Sequence, residues 1–477
     1  MAEFIVAIEI GSSKITGIAG KKNTDGSITV LAVVTEDSTS FIRKGVVYNI
    51  DKTAACLTNI INRLKTLLKA DITQVFVGVG GQSIRSVKNV IVKNLPQDTV
   101  ISQEMIFRLM DTNRAVDYPE HETIHAATQE YKVDSQYQID PVGIRCNRLE
   151  GDFLNVLSRK NFYMNLNKCF EQADINIAEM YLSPLALAES ILTENDMRSG
   201  CMLVDLGAET TTVSVFYKSI LRHMAVIPLG GNNITKDIAS LQMDEKEAEK
   251  MKLKYASAYT DSKNIDETLT YSIDPERRVE SSKFIEIVEA RVEEIIKNVL
   301  FQVPNEYADK LMGGIILTGG GANMPNIDKA FRKFTNIEKI RIANFVNKKI
   351  ESNEAIINDH NGMMNTALAL LAKGDLNCAG EELTEGIISH PLGTNNTDQD
   401  PNQKNGKGVV LTQADKDRIE AERKKKEMEE QAERERLKRE QEAEEEERLR
   451  LKRENSVGHK LWKKMKAFGR QMIDEDD

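Results

Sequence analysis

The chain has no run of about 18 consecutive apolar residues, so no segment of it reads as a membrane-spanning helix. It has no Cys-x-x-Cys pair: Cys56, Cys146, Cys169, Cys201 and Cys378 lie far apart. That spacing excludes a zinc knuckle or a disulfide framework, and it predicts reduced thiols in a cytoplasmic protein. No basic patch followed by an apolar stretch opens the sequence, so no signal peptide is expected. Positive charge is not in excess either. The formal net charge is −10, which argues against a nucleic-acid partner. Aromatic residues make up only 5%, and the single tryptophan, Trp462, is held back until close to the end. What is present is length: 477 residues, 40% of them hydrophobic, suffice for two or more units with cores of their own.

Three zones follow one another. From Met1 to about Cys378 the composition is mixed and periodic. "FIVAIEIG", "SITVLAVV" and "TQVFVGVG" are β-branched runs of strand length. Between the last two, Leu57, Ile60, Ile61, Leu64, Leu67 and Leu68 share one helical face, with Asp51 placed as the N-cap. From about Ala379 to Gln413, Asn, Gln, Asp, Gly and Pro dominate; such a segment buries too little to offset its ordering entropy and reads as a flexible linker. From Asp415 to Asn455 the chain holds 16 acidic and 14 basic residues. Its few large apolar residues keep no heptad, which argues against a coiled coil. Pairs such as Glu420–Lys424, Glu430–Arg434 and Glu446–Arg450 sit at i,i+4 with the acid first, the order that supports a solitary helix. A solvated charged coil is the alternative.

One pattern occurs twice. "IVAIEIGSSKITGIAG" and "CMLVDLGAETTTVSVF" are both a strand ending in an acid, one residue, a glycine, small hydroxyl residues, then a second strand. Glu9 aligns with Asp205 and Gly11 with Gly207. The duplication predicts two related α/β halves, each opening with a hairpin. The chemistry suits a pair of phosphate clamps. Glycine lets backbone N–H groups approach an anion, and hydroxyls add donors. A carboxylate at each strand end, Glu9 and Asp205, would hold Mg²⁺ through its waters. A third piece, "GGIILTGGGANMPNI", runs a strand into Gly319, Gly320 and Gly321. These glycines either let the backbone pass a flat ring or an α-phosphate, or simply make a tight strand-to-helix turn.

In this order the three pieces resemble the phosphate 1, phosphate 2 and adenosine motifs of the actin, heat-shock chaperone and sugar-kinase superfamily. Within it, "EIGSSK", "DLGAETTTVSVFYKSILRHMAVIPLGGNNITKDIA" and "LTGGGANMPNI" resemble the FtsA family of bacterial cell-division proteins, over roughly Phe4 to Gly374. The resemblance implies an α/β, actin-like duplicated ATPase fold with an inserted α+β subdomain. It also implies an ATP and Mg²⁺ site. That site would draw on Glu9, Gly11, Ser12, Ser13 and Lys14, then on Asp205, Gly207, Ala208, Glu209, Thr210 and Thr211, and finally on Gly319, Gly320, Gly321 and Ala322. "AEKMK" resembles the segment that places a Glu and a Lys on ribose and adenine, here Glu249 and Lys252. By the same resemblance, residues 1–82 and 164–197 form subdomain IA, 83–163 the inserted IC, 198–240 and 311–378 IIA, and 241–310 IIB. Then come a linker (379–414), the charged segment (415–455) and an amphipathic membrane-targeting helix (456–473).

Ala208, Glu209 and Thr212 depart from the family pattern, which has Gly, Gly and Asp there. Side chains narrow the loop, and Glu209 brings negative charge towards an anion. ATP binding is expected, hydrolysis is expected to be weak or absent, and no catalytic base is assigned.

The insertion contains "HETIH", His121 to His125, formally the H-E-x-x-H of zinc proteases. That motif needs a helix to bring both imidazoles to one metal. Pro119 precedes it and an alternating, strand-like run follows, so it reads as coincidence. In family members the smaller lobe grips the C-terminal tail of FtsZ. Arg277 and Arg278 here would meet such an acidic peptide, or form a solvated basic pair.

The end of the chain, "HKLWKKMKAFGRQM", falls on a helical wheel with Val457, Leu461, Met465, Phe468 and Met472 within about 80° and Trp462 at the stripe's edge. Lys460, Lys463, Lys464, Lys466 and Arg470 take the other side. This is the pattern of an in-plane interfacial helix on anionic lipid. Docking on the protein's own body or on a partner is the alternative. Family members end in such a helix. With this tail, the resemblance implies a protein that polymerises, binds FtsZ and other cell-division proteins, and tethers the FtsZ ring to the cytoplasmic face of the membrane at the division site. A sugar kinase of the same superfamily would need a catalytic Asp context that is not found. An actin-like adaptor of a pilus or secretion machine would have no evident use for this tail and insertion.

Overall fold

The strand Ile5–Ile10 is buried along its first four residues, as a run apolar on both faces requires of a central strand. It is one strand of a computed structural model that describes residues 3–261, 263, 266, 268–274 and 276–382. Around it the first half's sheet runs, in spatial order, Ile177–Leu182, Val75–Val79, Ile5–Ile10, Lys14–Lys22, Ile28–Asp37 and Ile350–Glu351. The second half repeats that order with Ile340–Ile342, Gly314–Thr318, Cys201–Leu206, Thr211–Tyr217 and Ile220–Ile227. In both, the strand that opens the hairpin is antiparallel to its hairpin partner and parallel to its other neighbour. The duplication expected from the two acid-x-Gly motifs is therefore a duplication of topology, and the fold is the actin-like one.

Helix Ile50–Leu68 buries Leu57, Ile60, Ile61 and Leu64 against the first sheet. Its N-cap is Asn49, not Asp51: the Asn49 side chain accepts the Lys52 N–H at 3.0 Å. The helix begins two residues earlier than a cap at Asp51 would place it, which leaves Asp51 in the first turn, favourable only for the helix dipole. Helix Asn365–Lys373 covers the same sheet, with Leu368, Leu370 and Leu371 fully buried. In the second half, helix Ser281–Phe301 turns Phe284, Val288, Val292, Ile296 and Val299 into a separate core. All five cysteines are buried free thiols.

The insertion is a three-stranded antiparallel sheet, Arg85–Val100, Arg145–Arg159 and His121–Val133, with a short Gln136–Gln138 edge and helix Gln103–Arg114 packed on it. Ile106, Leu109, Tyr131, Leu149 and Phe153 form its own small core. "HETIH" lies inside the strand His121–Val133, where residues four apart are about 13 Å apart. A strand holds the two imidazoles too far apart to share one metal, and among the described residues His121, Glu122 and His125 belong to no group of three or more His, Cys, Asp or Glu placed to hold an ion. The sheet of the insertion does not stand alone. Arg85 pairs with Ala225 and joins it to the second half's sheet in one nine-stranded array.

The expected linker starts too early. Ala379–Glu382 is a strand paired with Ala70–Ile72, and Cys378 N–H donates to Phe4 O at 2.8 Å just before it. The rest of the linker, the charged segment and the amphipathic tail lie outside the described residues. Among the described residues, no helix is long and apolar enough to cross a membrane.

Candidate functional site

The two hairpin turns are built alike. Gly11 N–H donates to Lys14 O at 3.1 Å, and Gly207 N–H to Thr210 O at 2.9 Å. The paired registers place Glu9 opposite Thr16 and Asp205 opposite Thr212, two residues before the glycine that opens each turn. Both turns line one cavity of about 590 Å³. Gly11, Ser12, Ser13 and Lys14 form one wall, and Gly207, Ala208 and Thr210 the wall facing it. The glycine run closes it: Gly319, Gly320 and Gly321 lie on the same cavity, where strand Gly314–Thr318 ends. Gly319 has φ +84°, and a Cβ there would sit 2.3 Å from Asp205 Oδ1, so the chain turns against the carboxylate only because no side chain intervenes.

Glu9 and Asp205 are both partly buried at the cavity wall. Burial pushes the Glu9 carboxyl up; Lys14 opposes this and Asp205 adds to it, leaving it at about 7. Burial alone pushes Asp205 to about 6. Glu9 Oε2 is enclosed without a hydrogen-bond partner. Two crowded carboxylates, one with an orphaned oxygen, fit a cation between them.

At the far end, Glu249 and Lys252 project from helix Glu245–Tyr255 into the same cavity. They form an ion pair at 2.6 Å, with the Lys252 side chain only 10% exposed. Lys252 Nζ also donates to Gly231 O at 3.1 Å and to Thr235 Oγ1 at 2.9 Å, and the Thr235 hydroxyl donates to Glu249. The network ties the helix to Gly231–Ala239, whose first residues also line the cavity.

Three residues expected at the site lie off its wall. Thr211 is fully buried and donates to Leu229 O at 2.9 Å. Ala322 is buried in the second half's core. Glu209 faces across to the first half, where Oε2 accepts the Lys44 N–H at 2.6 Å. The sequence reading missed Gly80, Gly81, Ser183, Asn232 and Met363, which line the cavity. Gly80–Gly81 ends a recognisable strand and carried a usable signal; Met363 reaches the wall through tertiary approach and carried none. Arg277, considered for an acidic peptide, is engaged internally by Asp274 at 2.5 Å and Glu247 at 3.9 Å.

A family model described as "Cell division protein FtsA" matches residues 202–370, and one described as "SHS2 domain inserted in FTSA" matches residues 81–157. The cell division protein FtsA of Porphyromonas gingivalis is 32% identical over 340 residues, covering 70% of this chain and 71% of that protein. The chain belongs to the FtsA family. FtsA of Bacillus subtilis is 31% identical over 332 residues, 68% of this chain and 75% of that one. Among solved structures, the PilM–PilN type IV pilus biogenesis complex superposes with a TM-score of 0.54 at 12% identity, covering 77% of this chain and 97% of that chain; this likeness is one of fold. The SHS2 match coincides with the inserted sheet, so the FtsA-type insertion and the observed one are the same segment.

Proposed function

We propose that this FtsA-family protein binds ATP with Mg²⁺ in the cavity between its two halves, polymerises, and anchors the FtsZ ring to the cytoplasmic face of the cell membrane at the division site. One observation carries the nucleotide reading: Gly11, Gly207 and Gly320, from three segments distant in sequence, line a single cavity beside two partly buried carboxylates. In this reading the turn amides, Ser12, Ser13 and Lys14 hold the phosphates, Glu9 and Asp205 hold the metal through its waters, and Glu249 and Lys252 meet the ribose and base. Mg²⁺, when bound, neutralises phosphate charge. No residue is assigned as a base for hydrolysis. The FtsZ C-terminal tail, other cell-division proteins, a second copy of the chain and anionic lipid are the proposed partners. The lipid contact is assigned to the tail.

The test is titration of the full-length protein with a fluorescent ATP analogue, with and without Mg²⁺. Saturable binding that unlabelled ATP reverses and Mg²⁺ strengthens is expected. Absence of binding at millimolar nucleotide removes the proposal. A sugar-kinase activity would show as phosphate transfer to a hexose, and none is expected.

A further inference from the structure

A two-residue turn outside every motif touches three parts of the molecule at once. Ile42–Arg43 and Val46–Val47 form a hairpin whose tip is Lys44 and Gly45. Both tip residues are left-handed, with φ of 51° and 73°, as a type I′ turn requires. For a lysine that conformation is strained, and strain of this kind persists where the surroundings hold it.

The surroundings here are specific. Lys44 N–H donates to Glu209 Oε2 at 2.6 Å, on the second half's turn. Gly45 N–H donates to Ser12 Oγ at 2.7 Å, on the first half's turn. Lys44 O accepts from Gln82 N–H at 3.0 Å, in the segment running from the cavity wall into the insertion. Contact with that segment is tight: a Cβ on Gly45 would lie 2.6 Å from Gly81 Cα. Just beyond, Ile84 O accepts from Val226 N–H at 3.2 Å, and Ser86 Oγ from Met224 N–H at 2.8 Å. The tip thus meets both hairpin turns and the root of the insertion, which is itself fastened to the second half's sheet.

We propose that Glu209 is a cross-cleft positioning residue. Its carboxylate latches the second half's turn to the Lys44–Gly45 tip, holds the two turns together over a nucleotide, and passes that closure to the insertion through Gly81–Ser86. The closure around nucleotide rests on the ATP reading above; the latch itself belongs to the nucleotide-free protein. A charged acceptor explains why a glutamate stands where a glycine is usual. Lys44 N–H gains a charge-assisted bond, and the negative charge is spent on a donor instead of facing the phosphates.

A simpler view, that Glu209 merely repels the triphosphate, predicts the opposite sign, so the two separate cleanly. Full-length wild type, Glu209→Ala and Glu209→Gln are compared in two measurements. The first is hydrogen exchange without nucleotide, in peptides covering 41–48 and 80–87. The second is stopped-flow release of the fluorescent ATP analogue. For Glu209→Ala the latch predicts faster exchange in those two peptides, none in strand Lys14–Lys22, and release faster by about fivefold to tenfold. Glu209→Gln keeps an acceptor and stays nearer wild type. Unchanged exchange at 41–48 and 80–87, exchange raised uniformly along the chain, or slower release overturns the latch. If wild type binds no analogue, the ATP reading fails, and the exchange measurement alone decides on the latch.

Discussion

Glu9 is the residue whose surroundings are most at odds with its chemistry. Its carboxyl is raised from an ordinary 4.5 to about 7, with burial as the leading cause. Asp205 is raised from 3.8 to about 6 in the same way. Between the ordinary and raised values the folded chain binds more protons than the unfolded one, so stability falls as pH rises through that window, roughly 4 to 7. Above it both groups are charged and the cost is complete. Glu9→Gln removes its share. Urea unfolding of the metal-free protein is expected to show the variant more stable than wild type by about 1–2 kcal/mol at pH 8, and no more stable at pH 4. That range is below what the full shift corresponds to, because the cavity admits water. Adding millimolar Mg²⁺ at pH 8 raises wild-type stability and leaves the variant nearly unchanged. Parallel pH profiles for the two proteins contradict the account of Glu9 as an uncompensated buried carboxylate.

Among the elements, the hairpins were legible because their signal is local: an acid, one residue and a glycine at the end of a β-branched run dictate strand, turn and strand. The helix over 50–68 was legible for the same reason, through its apolar face. Its start was misplaced because Asn49 and Asp51 are both competent caps, and only the actual bond, Asn49 to the Lys52 N–H, separates them. The difference is measurable. Asn49→Ala is expected to destabilise the protein by about 1 kcal/mol, and Asp51→Ala by a few tenths, in urea or thermal unfolding. Equal losses would return the cap to Asp51. What could not be read from sequence depends on contacts between distant segments. The Arg85–Ala225 pairing that welds the insertion to the second half is one register point between strands far apart in the chain. The strand Ala379–Glu382 is weakly apolar and exists because Ala70–Ile72 offers it an edge. Glu209 looked like a charge aimed at an anion because nothing in its neighbourhood named Lys44, 165 positions away, as its donor.

At the scale of the whole molecule, the cavity and the tail belong to one device only if assembly connects them. In the proposed reading, the tail pattern, with Trp462 beside Val457, Leu461, Met465, Phe468 and Met472 and five cations opposite, would offer one short interfacial segment per chain. Each cation near an anionic surface contributes on the order of 1 kcal/mol, and salt screens that contribution. A single chain is therefore held weakly. A polymer presents many tails to one surface, and the effective concentration of each further tail rises once the first is bound. ATP, if it drives polymerisation, should then strengthen lipid binding although it touches no lipid. Co-sedimentation with vesicles containing phosphatidylglycerol is expected to pellet the full chain, more completely with ATP and less completely at 0.5 M salt, a roughly threefold rise over physiological ionic strength. A chain ending at Glu454 is expected to remain in the supernatant under every condition while still binding nucleotide. If the shortened chain pellets as well as the full one, the lipid contact lies in the globular body and avidity through the tail is not how this protein reaches a membrane.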